Sequence, residues 1–100
     1  MTKTEIISTL TTIRDDLYLT KVSLEVGTGE YIIIKSRVAG ELVDKINNIP
    51  NSKRKDVISI IKHEYVKAYS KMCYTVDNRE ENEVIYLFMK QIVALLNIKM

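Results

Sequence analysis

Tryptophan is absent from this chain, and proline and cysteine each occur once. The lone Cys73 rules out an intramolecular disulfide and a cysteine-clustered zinc site. Pro50 is the single hard helix stop. With only Gly27, Gly29 and Gly40 as glycines, there is no linker, low-complexity tract or internal repeat. No apolar run reaches the ~20 residues that a bilayer-spanning helix requires. Residues 1–13 carry Lys3, Glu5 and scattered threonines, without the apolar core of a secretory leader, and neither end shows a lipidation pattern. A cytoplasmic protein with no membrane contact is therefore expected. A strong charge of one sign is missing too: the formal net charge is +2, too small by itself to imply nucleic acid.

What is present fits a globular protein: 46% apolar and 28% charged among 100 residues, enough for one domain, 1–100, with a modest core. Isoleucine, lysine, asparagine and tyrosine are abundant, while glycine, alanine, proline and arginine are scarce. That usage is expected of an AT-rich genome: a low-GC bacterium, its phage or plasmid, or an AT-rich eukaryotic virus.

The most apolar stretch is residues 84–98. On a helical wheel its apolar side chains spread well beyond the ~100° stripe of an ordinary surface helix, leaving Tyr86, Lys90 and Asn97 on one polar strip. Such a helix must be wrapped on nearly all sides. Its least easily covered flanks hold Leu87, Ala94 and Ile98 on one side and Met89, Val93 and Leu96 on the other. Leu87, Met89, Val93, Leu96 and Ile98 are therefore the expected oligomer interface.

Three amphipathic segments precede it. Residues 2–19 hold Ile6, Leu10, Ile13 and Leu17 at 4-3-4 spacing, with Thr2 or Thr4 as N-cap and Glu5 in the first turn. Residues 30–48 stack Ile34, Val38, Leu42 and Ile46, widened by Tyr31, Ala39 and Val43; Gly40 falls on the polar side as a tolerated surface glycine. Residues 51–76 repeat Ile58, Ile61, Tyr65, Ala68 and Met72, broadened by Val57, Tyr69 and Val76, with Asn51 or Ser52 as cap. Asp77 and Glu80 have capping-box spacing for the last helix. These segments predict an all-α antiparallel four-helix bundle. The alternative is α+β, with a hairpin at about residues 20–35: Val22, Leu24 and Val26 alternate with polar residues, and Gly27-Thr28-Gly29 would turn into Tyr31-Ile32-Ile33-Ile34.

Little catalytic chemistry is legible. His63 and Glu64 are neighbours on one helix and point about 100° apart, so they form no local pair, and His63 reads as solvated. Cys73 has no cationic neighbour at helical spacing and reads as a small core residue. The carboxylate pairs Glu41/Asp44 and Glu80/Glu83 resemble the metal-holding pairs of MazG-like nucleotide pyrophosphohydrolases only in kind, since spacing and order differ. Glu80 and Glu81 are where the helix dipole favours acids. No enzyme activity, metal or cofactor is expected.

The sharper signal is basic. Lys53, Arg54, Lys55, Lys62, Lys67 and Lys71 outnumber Asp56 and Glu64 on the third segment. Lys53, Lys67 and Lys71 share an outward face with His63 and Tyr74, while Lys55 and Lys62 line its other edge. Together with exposed Ile33 and Ile60, this suggests contact with other molecules. Lys53, Lys55, Lys62, Lys67, Lys71 and Tyr74 form the expected partner or nucleic-acid face.

The opening Met1-Thr2-Lys3-Thr4-Glu5-Ile6-Ile7 is similar to the start of histone-like HU/IHF proteins, but the saddle, glycine-rich strand and basic arm of that family have no counterpart after residue 35. Small basic helical bundles include the immunity proteins of class IIa bacteriocins, a fold-level likeness without a shared motif. The expected function is non-enzymatic protein–protein contact with self-association, as a phage or mobile-element accessory, inhibitor, immunity or assembly factor. The alternative is a small DNA- or RNA-binding regulator using the third helix.

Overall fold

In a computed structural model, residues 1–23, 30–49 and 51–99 are described, with 20–23 and 30 described by backbone alone. The protein is all-α. Its helices are α1 (Lys3–Ser23), α2 (Glu30–Asn47), α3 (Arg54–Tyr74) and α4 (Arg79–Leu95). Val22 and Tyr31, Ile32, Ile33 and Ile34 lie in helices, so the strands of the alternative hairpin do not form there. Leu24 and Val26 of its first strand and its turn, Gly27-Thr28-Gly29, lie outside the described residues. The chain divides into two compact units, Met1–Pro50 and Asn51–Met100, in which α1 packs on α2 and α3 on α4.

In the first unit, α1 starts on a reciprocal capping box. The Glu5 N–H donates to Thr2 Oγ1 and the Thr2 N–H to Glu5 Oε1, both at 3.2 Å. Two otherwise orphaned donors are satisfied, and the bond from the Thr2 backbone holds the Glu5 carboxyl below its ordinary value. Ile6 and Leu10 are buried while Ile13 and Leu17 are only half-buried. On α2, Ile34, Val38, Leu42 and Ile46 are all buried, with Ala39 and Val43 beside them, but Tyr31 is exposed. Gly40 is not an idle surface glycine. A Cβ there would sit 3.3 Å from Arg14 Cδ, and one turn away Ser36 Oγ donates to the Arg14 carbonyl at 3.1 Å. The absence of a side chain at Gly40 lets the Arg14 stem cross α2.

In the second unit, α3 begins at Lys53 rather than at Asn51 or Ser52. The Asp56 carboxylate accepts from the Lys53 N–H at 2.8 Å, the half of a capping box that an acid at N3 supplies. The N-cap of α4 is Asn78, not Asp77. Asn82 Nδ2 donates to the Asp77 carbonyl at 3.0 Å and ties the turn to α4. Asn51, Asn78 and Asn97 have φ of 65°, 57° and 55°. Asparagine tolerates this left-handed region because its short amide bonds locally, and in a glycine-poor chain it takes those positions.

α4 ends at Leu95, three residues before the apolar run does, and Asn97 turns the chain there. The Ile98 N–H donates to the Val93 carbonyl at 3.0 Å and the Asn97 N–H to the Ala94 carbonyl at 3.1 Å. This is a Schellman motif, in which the residue after the left-handed one packs back on the last turn. Ile98 and Val93 are both buried, as that contact requires.

The last helix corrects the expected interface. Met89, Val93, Leu96 and Ile98 are buried in the chain, with Phe88 and Ile92 beside them. Of the five expected interface residues only Leu87 is exposed, joined by Ala94 and Leu95. The wheel overstated the surplus because the Schellman turn folds Ile98 inward and because Met89, Val93 and Leu96 share the side that holds buried Ile92. Met89 is 1% exposed and Leu87 47%. Met89→Ala is therefore expected to lower unfolding stability by about 2–5 kcal/mol, and Leu87→Ala to change it by no more than about 0.5 kcal/mol. Urea unfolding of both variants checks this; equal losses would contradict the burial assigned here.

Candidate interaction surface on the third helix

The face of α3 is set by its inner side. Val57, Ile61 and Ala68 are buried, and Ile58, Tyr65 and Met72 are half-buried. Tyr86 of α4 fills the seam beside them. Its ring lies 5.6 Å from that of Tyr65 and 5.5 Å from that of Tyr69, both tilted, within the range where aromatic pairs attract by about 0.5–1.5 kcal/mol. The Tyr65 and Tyr86 hydroxyls are 3.4 Å apart, longer than an ordinary O–H···O bond, so ring packing is the stronger contribution. The bond to Tyr86, with burial, raises the Tyr65 hydroxyl above its ordinary value. A bond with Cys73 and the nearby thiol raise that of Tyr69.

Tyr86 covers one side of Tyr69 and leaves the other open. The result is an apolar strip on the outside of α3. Val66 is 54% exposed, Tyr69 46%, and Val76, just past the helix end, 88%. Cys73 is exposed as well, so the expectation of a small core residue is overturned. Val66, Tyr69 and Cys73 follow 3-4 spacing on α3, the repeat of a helix–helix seam, and Val76 lies past the helix end, beyond the extended Thr75. Reading Tyr69 and Val76 as part of the buried face concealed it; the signal in the sequence was a second 3-4 line one step round the wheel.

Lys53, Lys55, Lys67, Lys71 and His63 are exposed, Lys62 is half-buried, and Tyr74 is 84% exposed. None of Lys53, Lys55, Lys62, Lys67 and Lys71 forms a salt bridge with a described residue. Ile60 is half-buried rather than exposed, whereas Ile33 of α2 is exposed. Glu41 and Asp44 lie on α2, in one compact unit, and Glu80 and Glu83 on or beside the first turns of α4, in the other. Among the described residues no three histidines, cysteines or carboxylates gather as a metal-holding group, and no described helix is long and apolar enough to cross a membrane.

Comparison with protein families, curated proteins and solved structures finds no match to the chain.

The tyrosine cluster has a pH signature. Raised folded-state values for Tyr65 and Tyr69 mean that the fold favours the neutral hydroxyls. Their contribution is whole below the ordinary tyrosine value of about 10 and is lost as pH rises through the higher folded values. Tyr86→Phe removes the Tyr65 partner, so Tyr65 is expected to ionise at lower pH than in the unsubstituted protein. Ultraviolet titration of phenolate absorbance checks this, and an unchanged titration would contradict the assigned contact.

Proposed function

We propose that this chain is a non-enzymatic protein that works through protein–protein contact and self-association, with the outer side of α3 as its contact face. The single observation carrying the reading is the exposure of Val66, Tyr69 and Cys73 along one line of α3, with Val76 exposed just past its end. Scattered apolar residues on a surface are ordinary, but Val66, Tyr69 and Cys73 at seam spacing on one helix form a surface that a second helix can cover. The flank of α4 contributes less, because only Leu87, Ala94 and Leu95 remain open there. A cytoplasmic setting and an accessory, inhibitor, immunity or assembly role in an AT-rich phage, virus or mobile element accord with the lone thiol and the residue usage.

A second reading, a small regulator binding DNA or RNA through α3, is favoured by one observation: the four lysines of this helix and Lys53 at its N-cap lack ion-pair partners among the described residues. Phosphates would be met by such a face with a salt-dependent affinity.

Sedimentation equilibrium over a wide range of protein concentration separates the two. Self-association is expected, weakened at least tenfold by Val66→Asp, which places a charge in the strip. A clean monomer at the highest concentration would end the self-association reading. Retention on heparin or DNA at low salt, lost on Lys67→Glu with Lys71→Glu, would favour the regulator instead.

A further inference from the structure

The outer line of α3 has a counterpart on α4 of the same unit, and each lies within one unbroken helix. On α3 the line is Lys62, Val66, Tyr69 and Cys73; on α4 it is Glu83, Leu87, Gln91 and Ala94. Lys62 is half-buried and the other seven are exposed. The spacings, 4-3-4 and 4-4-3, keep each set within about 80° of its helix circumference. Both lines begin with a charge and continue with side chains that are mostly apolar or small, but the charges are opposite. Neither Lys62 nor Glu83 forms an ion pair with a described residue.

These lines do not meet within one chain. The chain reverses in the short turn between Tyr74 and Arg79, and Tyr86 stands beside Tyr65 and Tyr69. Glu83 is therefore level with the C-terminal part of α3, about two turns from Lys62. The inner side of α4 is occupied by Phe88, Met89, Ile92 and Val93, all buried, which leaves the Glu83-to-Ala94 line facing outward.

We infer that α3 of one copy binds α4 of a second copy, with the two helices parallel and their outer lines in contact. This rests on the self-association reading given above and names the surface that each copy contributes. In a parallel helix pair, residues at the same height meet along the seam. An offset of 21 positions sets Lys62 against Glu83 of the second copy, Val66 against its Leu87 and Cys73 against its Ala94. Tyr69 and Gln91 lie on opposite edges of their lines, and opposite edges come together in such a pair. Tyr69 is already held on one side by Tyr86 at 5.5 Å, which limits the side-chain freedom lost on association.

Other pairings serve these residues less well. Two α3 lines placed together bring Lys62 and the exposed Lys55 with no carboxylate on the line to meet them. An antiparallel pairing of α3 with α4 sets Lys62 near Ala94 and Glu83 near Cys73, so that each charge loses water without gaining a partner. The parallel pairing joins two different patches, so it is heterologous, and assembly closes into a ring or grows as a chain.

Mixing two blocked variants tests this directly. Val66→Asp places a charge in the α3 line and Leu87→Asp one in the α4 line; both positions are exposed, and circular dichroism checks that each variant folds. Each alone is expected to associate more weakly than the unsubstituted protein by about tenfold or more. Mixed in equal amounts, they are expected to recover association and stop at a dimer, because the first keeps an intact α4 line and the second an intact α3 line. Sedimentation reads both results. No recovery on mixing, or full association of Leu87→Asp alone, would overturn the inference.

The direction of the pair is read by Ala94→Cys with Cys73 in place. Within one chain these positions lie about 20 Å apart along the hairpin, beyond the reach of a disulfide. Oxidation of the associated protein is expected to bridge residue 73 of one copy to residue 94 of another, as identified by peptide mass. Bridges only between like positions would overturn the parallel register. Sedimentation of the unsubstituted protein separates the two failures. Association without recovery on mixing would remove the α3-to-α4 pairing and leave the self-association reading standing. A monomer at every concentration would overturn both.

Discussion

The second unit depends on covering α4. Its run from Phe88 to Leu96 carries more apolar surface than one ordinary stripe, and each large side chain left in water forfeits about 1.5–3 kcal/mol of burial. Phe88, Met89, Ile92, Val93 and Leu96 are all buried. The end of the helix contributes to this. Because Asn97 adopts the left-handed conformation, the chain doubles back and Ile98 joins the buried set instead of extending the helix. The apolar residues of α4 that remain exposed are Leu87, Ala94 and Leu95.

That use of α4 shapes the exposed side of α3. Tyr86, on the polar strip of α4, projects its ring against Tyr65 and Tyr69. The helices are thereby joined along that edge by aromatic packing rather than by aliphatic interdigitation. Val66, Cys73 and the outer side of Tyr69 lie beyond the rings and remain in solvent. A large, tilted ring in the seam thus covers one apolar line of α3 and leaves the next one open.

Much of this was legible in the residue pattern. The i, i+4 line of α2 is buried at all four positions, because one periodic stripe met one neighbour, and Thr2 with Glu5 forms the cap its spacing allowed. The misreadings have physical causes. A helical wheel treats residues 84–98 as one rod, whereas Asn97 breaks it, so Ile98 was placed on the wrong side. A wheel also gives every residue the same size, so it cannot show that the Tyr86 ring stops short of Cys73 and Val66. Gly40 looked idle because its partner, Arg14, is a charged residue whose stem packs while its head reaches water. The caps of α3 and α4 fall one or two residues later than the polar residues suggest, because Asp56 accepts from the Lys53 N–H and because Asn78 takes the left-handed turn before α4.

The central proposal is a division of labour in which α4 supplies the core of the second unit and α3 the surface by which copies would meet. Amide hydrogen exchange of the intact protein, compared at low and high concentration, tests it most directly. Residues 88–96 should be the best-protected part of the second unit at both concentrations, and protection gained on concentrating should fall in residues 62–76. A gain confined to residues 87–98, with residues 62–76 unchanged, would contradict the account.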